Sequence, residues 1–215
     1  MMRFRNRIEA GKKLAEELQD YVSQDVIVVA IPRGGVVIGY EVALQLSSPL
    51  DIVIPRKIGA PGNPEFAIGA VTEDGTIVLN KQADAILGIS EEYLEKTTER
   101  EISEIARRAA IYRHGAQPEP LKGKTVIIVD DGLATGATMG AAVASIRKRG
   151  ASKIVVAVPV APPDAIIKLS KDVDKIICPV VYESFYAIGQ FYDDFNQVED
   201  DEVIRLLEQN RKEIS

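Results

Sequence analysis

The chain has 215 residues, 46% of them hydrophobic and 27% charged, and a net charge of -6. That length suits one α/β domain with a sizeable core, here taken as residues 1–215; the acidic balance argues against nucleic acid as a partner, because phosphate backbones reward Lys and Arg. The single cysteine, Cys178, excludes an internal disulfide or a cysteine-built metal site, and its apolar neighbours make it a small buried hydrophobe.

In chain order, residues 1–7 are basic but lead into Ile8-Glu9-Ala10-Gly11-Lys12-Lys13, not into an apolar signal core. No stretch approaches the length of a membrane span, so the expectation is a soluble, cytoplasmic chain with no membrane contact. Residues 26–31 predict a first buried strand. Arg33-Gly34-Gly35 follows, ahead of a helix over 36–46. Two glycines at a helix start free backbone N–H groups, and Arg33 adds a bidentate anion donor. Strand-to-helix turns also use glycine for steric reasons, and this loop alone does not separate the two uses. The Gly-x-Gly-x-x-Gly spacing of a dinucleotide site is absent.

A second strand is expected at 50–54, running into Pro55-Arg56-Lys57. Two cations at a strand end suit an anion or plain solvation. Residues 56–115 then read as an excursion from the sheet. Gly59, Pro61, Gly62 and Pro64 crowd its start, and strand-like pieces at 66–71 and 76–79 flank Glu73-Asp74-Gly75, which predicts a hairpin. Ser90 reads as an N-cap with Glu91 and Glu92 in the first turn of a helix reaching about 113. Leu94, Thr98, Ile102, Ile105, Ala109 and Tyr112 form its buried stripe. Arg107, Arg108 and Arg113 are its cations most able to reach an anion, the alternative being solvent or the helix dipole. His114, the only histidine, reads as a surface residue of the loop that follows.

Residues 125–129 predict a third core strand, and it ends in Asp130-Asp131-Gly132-Leu133-Ala134-Thr135-Gly136-Ala137-Thr138 before a helix over 137–149. A small-residue loop at a helix start presents successive N–H groups where the dipole also favours an anion. The hydroxyls of Thr135 and Thr138 can donate to a phosphate brought close by the small residues. Asp130 and Asp131 can accept from two vicinal hydroxyls at the sheet edge where open α/β folds bind ligands. A phosphate cradle beside a pair of hydroxyl acceptors describes a ribose phosphate. The Gly-Lys-Ser/Thr of a P-loop is absent.

The helix over 137–149 carries Met139, Val143 and Ile146 on one stripe and closes on Arg147-Lys148-Arg149-Gly150. Further strands are expected at 153–158 and 175–181, and a last helix at about 201–212 with Val203, Ile204 and Leu207 inward. Nearly continuous Val/Ile runs separated by helices predict an α/β fold with a doubly wound, mainly parallel five-stranded sheet, a helical and hairpin insertion, and a small hood. The hood spans about 182–215 and gathers six of the twelve aromatics at Tyr182, Phe185, Tyr186, Phe191, Tyr192 and Phe195. These rings could stack on a nucleobase with Asp193 or Asp194 accepting its N–H groups, or form a mini-core under the last helix.

The segment from Val126 to Met139 closely resembles the signature for 5-phosphoribosyl 1-pyrophosphate (PRPP) of type I phosphoribosyltransferases: a hydrophobic run, two acids, a short spacer and Thr-Gly-x-Thr. By that resemblance Asp130 and Asp131 hold the ribose hydroxyls, and Gly132, Ala134, Thr135, Gly136, Ala137 and Thr138 belong to the loop that holds the 5-phosphate. The loop of Arg33, Gly34 and Gly35 looks like the family's pyrophosphate loop, with Arg56 and Lys57 beside it and the excursion as a lid. The resemblance implies transfer of phosphoribosyl to a nitrogen nucleophile, with Mg²⁺ held mainly by substrate oxygens, and a homodimer. The acceptor is not named: the tail does not match the patterns expected of orotate, uracil or hypoxanthine enzymes. A non-catalytic regulator binding PRPP or nucleotides on the same fold is the alternative.

Overall fold

The computed structural model describes residues 3–79 and 88–214; residues 80–87 of the expected excursion lie outside them. Five parallel strands, β1 (Val26–Ala30), β2 (Leu50–Ile52), β6 (Thr125–Val129), β7 (Lys153–Ala157) and β9 (Lys175–Ile177), form a sheet ordered β2-β1-β6-β7-β9. The register runs straight across it: Val29 pairs with Ile128, and Ile128 with Val156. These strands are apolar on both sides because both sides are covered. Val28, Ile127 and Val129 face one core with helices α1 (Arg7–Glu16), α2 (Gly34–Leu46) and α6 (Asp200–Glu213). Val29, Val126 and Ile128 face the other, under α4 (Ala137–Lys148) and α5 (Pro163–Leu169). Each such Val or Ile, fully withdrawn from water, contributes about 1.5–3 kcal/mol.

From β1 the chain steps outward to β2, then crosses to the other side for β6. That reversal is the topological switch point, and it opens a crevice beyond the carboxyl ends of β1 and β6. The loops after those two strands hold Arg33-Gly34-Gly35 and the residues from Asp130 to Thr138.

Prolines correct the outer strands. The expected strand at 175–181 is two pieces, β9 and β10 (Val180–Val181), broken at Pro179; the strand at 153–158 likewise gives way at Pro159 to β8 (Val160–Ala161). A proline donates no ladder hydrogen bond. The pieces re-pair one step on, with Val180 N donating to Pro159 O at 3.1 Å, so β8 and β10 form a small parallel sheet above the main one.

The excursion is more regular than its glycines and prolines predict. Residues 56–60, expected as irregular chain, are strand β3 (Arg56–Ala60), which with β4 (Asn63–Val71) and β5 (Ile77–Leu79) forms a three-stranded antiparallel sheet instead of a lone hairpin. Register shifts at Gly59 and Ala60 accommodate the crowded turn. Helix α3 (Glu91–Arg113) opens on the Ser90 side chain, which accepts from Tyr93 N at 3.3 Å, and packs its Ile105 and Tyr112 side inward. The tip of the β4–β5 turn docks on α4 through Asp74, which accepts from Ser145 at 3.1 Å.

The N-terminal segment, not assigned to any element by sequence, pairs with the tail. Phe4 N donates to Phe191 O at 2.8 Å and Asp193 N to Phe4 O at 2.9 Å. Phe4, Phe191 and Tyr192 are buried together, with Phe4 and Tyr192 centroids 5.6 Å apart. The tail aromatics are therefore largely a mini-core that clasps the chain's start, while Tyr186 alone among them is 90% exposed. Among the described residues no helix is long and apolar enough to cross a membrane.

Candidate functional site

The loops after β1 and β6 touch. A Cβ on Gly34 would lie 2.1 Å from Asp131 Oδ2, and one on Gly35 would lie 3.0 Å from Asp130 Oδ1. Glycine is required there by close approach, because any side chain would push the two acidic residues off the loop. Gly132 meets the same limit from the hood, where a Cβ would stand 2.7 Å from Ile188. Leu133 N donates to Val160 O at 2.9 Å and fixes the loop's start to β8.

Beyond Leu133 the loop is open. Among the described residues the backbone N–H groups from Ala134 to Thr138 have no acceptor, nor do the hydroxyls of Thr135 and Thr138. Gly136 stands at the N-cap of α4 with φ +76°, a left-handed conformation that an L side chain adopts only with strain. Five unused donors at the positive end of a 12-residue helix make a nest for an anion.

Asp130 Oδ1 accepts from Asp131 N at 2.8 Å, which leaves Oδ2 free. Asp131 Oδ2 accepts from Arg7 Nε at 2.8 Å, and Tyr192 OH donates to the Asp131 backbone oxygen at 2.7 Å. Burial and the charge of Asp131 push the Asp130 carboxyl well above the usual carboxylate range. Burial raises Asp131 too, against the opposing pull of Arg7. Arg7 was not a sequence candidate. It reaches Asp131 from α1, donates to Asn196 O at 2.8 Å, and lies 3.9 Å from the Phe195 ring centroid. Nothing in its basic N-terminal neighbourhood separates it from Arg3 or Arg5; only the clasp between the chain ends does.

Lys57 points from β3 into a cavity of about 380 Å³ shared with Thr135 and Ala137 of the loop and with Lys168 of α5. It also lines a second cavity, of about 490 Å³, with Arg56, Arg100 and Thr138. Lys168 and Arg100 were missed by sequence, since an exposed cation on a helix carries no local signal.

Other candidates are held elsewhere. Arg33 faces Asp200 at 3.6 Å and Glu199 at 3.9 Å rather than the acidic pair. Arg56 donates to Glu101 of α3. The three cations of that helix singled out as most able to reach an anion are engaged within the protein. Arg107 and Arg108 both hold Glu104, at 2.7 and 2.8 Å. Arg113 is buried and donates to Asp51 at 3.2 Å, to Ile52 O at 3.0 Å and to Glu73 at 3.0 Å, because the helix's last turn lies over the edge strand β2. His114 caps that helix and contacts Glu208 at 3.0 Å, a surface role as expected. In the tail, Asp193 pairs with Arg3 at 3.2 Å and Asp194 accepts from Asn196 N, so neither carboxylate stands unengaged.

Comparison with known proteins agrees with this architecture. A crystal structure of the protein TT1426 from Thermus thermophilus superposes with a TM-score of 0.84 at 42% identity, covering 97% of this chain and 99% of that one. A Mycobacterium tuberculosis protein, named provisionally as a phosphoribosyl transferase in strains CDC 1551 and H37Rv, is 38% identical over all 215 residues. This chain spans about half of that relative's length, 48%. Residues 4–196 match the family described as the phosphoribosyl transferase domain, and the chain belongs to that family.

Proposed function

We propose that the chain transfers the 5-phosphoribosyl group of PRPP to a nitrogen nucleophile, most simply a nucleobase, with release of pyrophosphate. The observation that carries this reading is the open nest of N–H groups from Ala134 to Thr138 placed next to Asp130 and Asp131 at the switch point of the sheet. In this reading the nest takes the 5-phosphate with the Thr135 and Thr138 hydroxyls, and the two aspartates accept from the ribose hydroxyls and fix the ring. The bond from the sugar carbon to pyrophosphate breaks, and its electron pair leaves with pyrophosphate. The acceptor's nitrogen lone pair forms the new bond, and its proton passes to solvent. The sugar carbon is cation-like in between, so stabilising the leaving group matters most. Gly34 and Gly35 present backbone to the pyrophosphate, and Lys57 supplies a cation. Arg33 would have to swing from Glu199 and Asp200 to join them.

A Mg²⁺ carried by the substrate fits these residues. Among the described residues no group of three or more His, Cys, Asp or Glu could hold a metal, so the ion's ligands would be mainly substrate oxygens and water, next to the ribose hydroxyls that Asp130 and Asp131 would hold. Bound there, the ion would neutralise charge on the departing pyrophosphate.

Incubation with PRPP, Mg²⁺ and a panel of bases tests the reading through pyrophosphate release. Asp131→Asn should weaken PRPP binding by about tenfold or more, the loss of one charged hydrogen-bond acceptor, in a chain that still folds but melts lower because Arg7 loses its buried charge partner. Unchanged affinity would remove the site, and tight binding without turnover on any base would favour a sensor over a transferase.

A further inference from the structure

We infer that Arg100, on α3, is a further anion-binding residue of this site, and that the cavity it shares with Arg56, Lys57 and Thr138 takes the pyrophosphate end of the substrate. The inference rests on the transfer reading above and adds to it a residue 30 positions upstream of the acidic pair. The cavity, of about 490 Å³, is bounded by β3, the turn at Gly62, the helix face of Tyr93, Arg100 and Glu101, and Thr138 of the loop. Its lining holds three cations and one carboxylate, an excess of two positive charges.

The carboxylate organises two of those cations. Glu101 is buried on its helix and accepts from Arg56 Nε on one oxygen, and from Arg100 Nε and Nη2 on the other at 3.2 and 2.9 Å. Burial alone would raise its pKa, but the two guanidiniums hold it below the usual range, so it stays charged. Two guanidiniums thereby share one carboxylate at the cavity wall with donors to spare. Neither Nη of Arg56 nor Nη1 of Arg100 has a protein acceptor among the described residues, and the Lys57 ammonium and Thr138 hydroxyl are equally unengaged. Tyr93, by contrast, is committed to Gly59 O at 3.0 Å.

A polyanion matches this set better than a single carboxylate would. Guanidinium forks bind phosphate oxygens in pairs. Thr138 lies in both the phosphate nest and this cavity, so the two anion sites adjoin. Of the cations that the resemblance places at the pyrophosphate, Arg33 faces Glu199 and Asp200 instead, while Arg56 and Lys57 line this cavity.

Calorimetric titration of the full chain with inorganic pyrophosphate, and separately with ribose 5-phosphate, tests this. Arg100→Gln should weaken pyrophosphate binding about tenfold, the worth of one charge-assisted contact, and leave ribose 5-phosphate within about twofold. Arg107→Gln, a change of equal charge on the same helix, should alter neither. Equal pyrophosphate affinity in wild type and Arg100→Gln would overturn the inference, as would an equal loss in Arg107→Gln, which would mark a diffuse charge effect. A wild-type chain that binds ribose 5-phosphate but not pyrophosphate sinks this cavity and keeps the nest. The converse result sinks the nest and keeps the cavity.

Discussion

The parallel sheet and the antiparallel excursion bring residues to the same crevice by different means. In the sheet the middles of the central strands are apolar and covered, as in β6, where Val126 to Val129 are fully buried. Its chemistry can come only from loops at the strand ends, and it does, at Gly34, Gly35 and the residues from Asp130 to Thr138. In the excursion one strand face is apolar, through Ile58, Ala60, Ile68 and Ala70, and the other carries the exposed Lys57. Lys57 therefore reaches the crevice from the middle of a strand. A sheet covered throughout offers a rigid rim, and a sheet with one partly open face offers a wall that can carry charge. The helix beside that wall, α3, is tied to the rim by a buried arginine, which bears on whether the excursion can act as a lid.

The strongest way to break this comparison is to cut that tie. Arg113 spans the excursion and the core: its guanidinium holds Asp51 of β2 and Glu73 of the β4–β5 turn, with its own side chain 9% exposed and that of Asp51 6%. Removing one partner of a buried ion pair leaves the other's charge uncompensated, which costs about 3–5 kcal/mol. Asp51 keeps its hydrogen bonds from Ile52 N and Glu119 N, so Arg113→Ala should fall near the lower end. Urea denaturation would measure it. A loss below about 1 kcal/mol, the value of an exposed pair, would mean that the excursion is hinged to the sheet and not welded to it.

A smaller effect, with a pH signature, comes from the other anchor. Asp74 accepts from Thr72, Thr76 and Ser145, and although burial alone would raise its pKa, these bonds hold it at about 2 against an ordinary 3.8. A carboxyl whose folded pKa is depressed contributes stability above its unfolded value and loses it as pH falls through the folded one. The shift corresponds to about 2 kcal/mol. Asp74→Asn should thus destabilise the chain at neutral pH, and the gap from wild type should close between about pH 4 and pH 2. Melting temperatures across that range decide it; a gap constant with pH would assign the effect to packing alone.

The same contrast explains what was legible. Five Val/Ile runs gave the parallel sheet, because a strand buried on both sides has no choice of composition. The acidic pair and the small-residue loop were legible for a similar reason: close approach at Gly34, Gly35 and Gly132 restricts those positions to one residue type. Strand β3 was not, since Gly59, Pro61 and Gly62 signal a turn and its exposed face needs no apolar residue. The break at Pro179 was written in the chain, but its meaning depended on Pro159 standing opposite in the neighbouring strand. Arg7 meets Asp131 across 124 positions and Arg113 meets Asp51 across 62, and neither pairing has a local pattern. Charged side chains were read by their neighbourhood in sequence, whereas partners reached through the fold decide where they point.

The smallest predicted effect concerns two cations of α3, the helix that the resemblance makes part of a lid. Arg107 and Arg108 share Glu104 on the same face of the helix, with side chains 58% and 37% exposed. An exposed pair at helical spacing contributes about 0.3–0.5 kcal/mol, and here a second arginine stays on the carboxylate when the first is removed. Arg107→Gln should therefore shift stability by less than about 0.5 kcal/mol and leave PRPP affinity unchanged. A lid that closes on substrate through Arg107 would require the opposite: near-normal stability with a clear loss of affinity. Fluorescence titration with PRPP at two salt concentrations separates these outcomes. A screened, diffuse contribution fades as salt rises, whereas a direct contact inside a closed site persists. A persistent loss would put α3 over the substrate in the bound state and make the excursion a moving part after all.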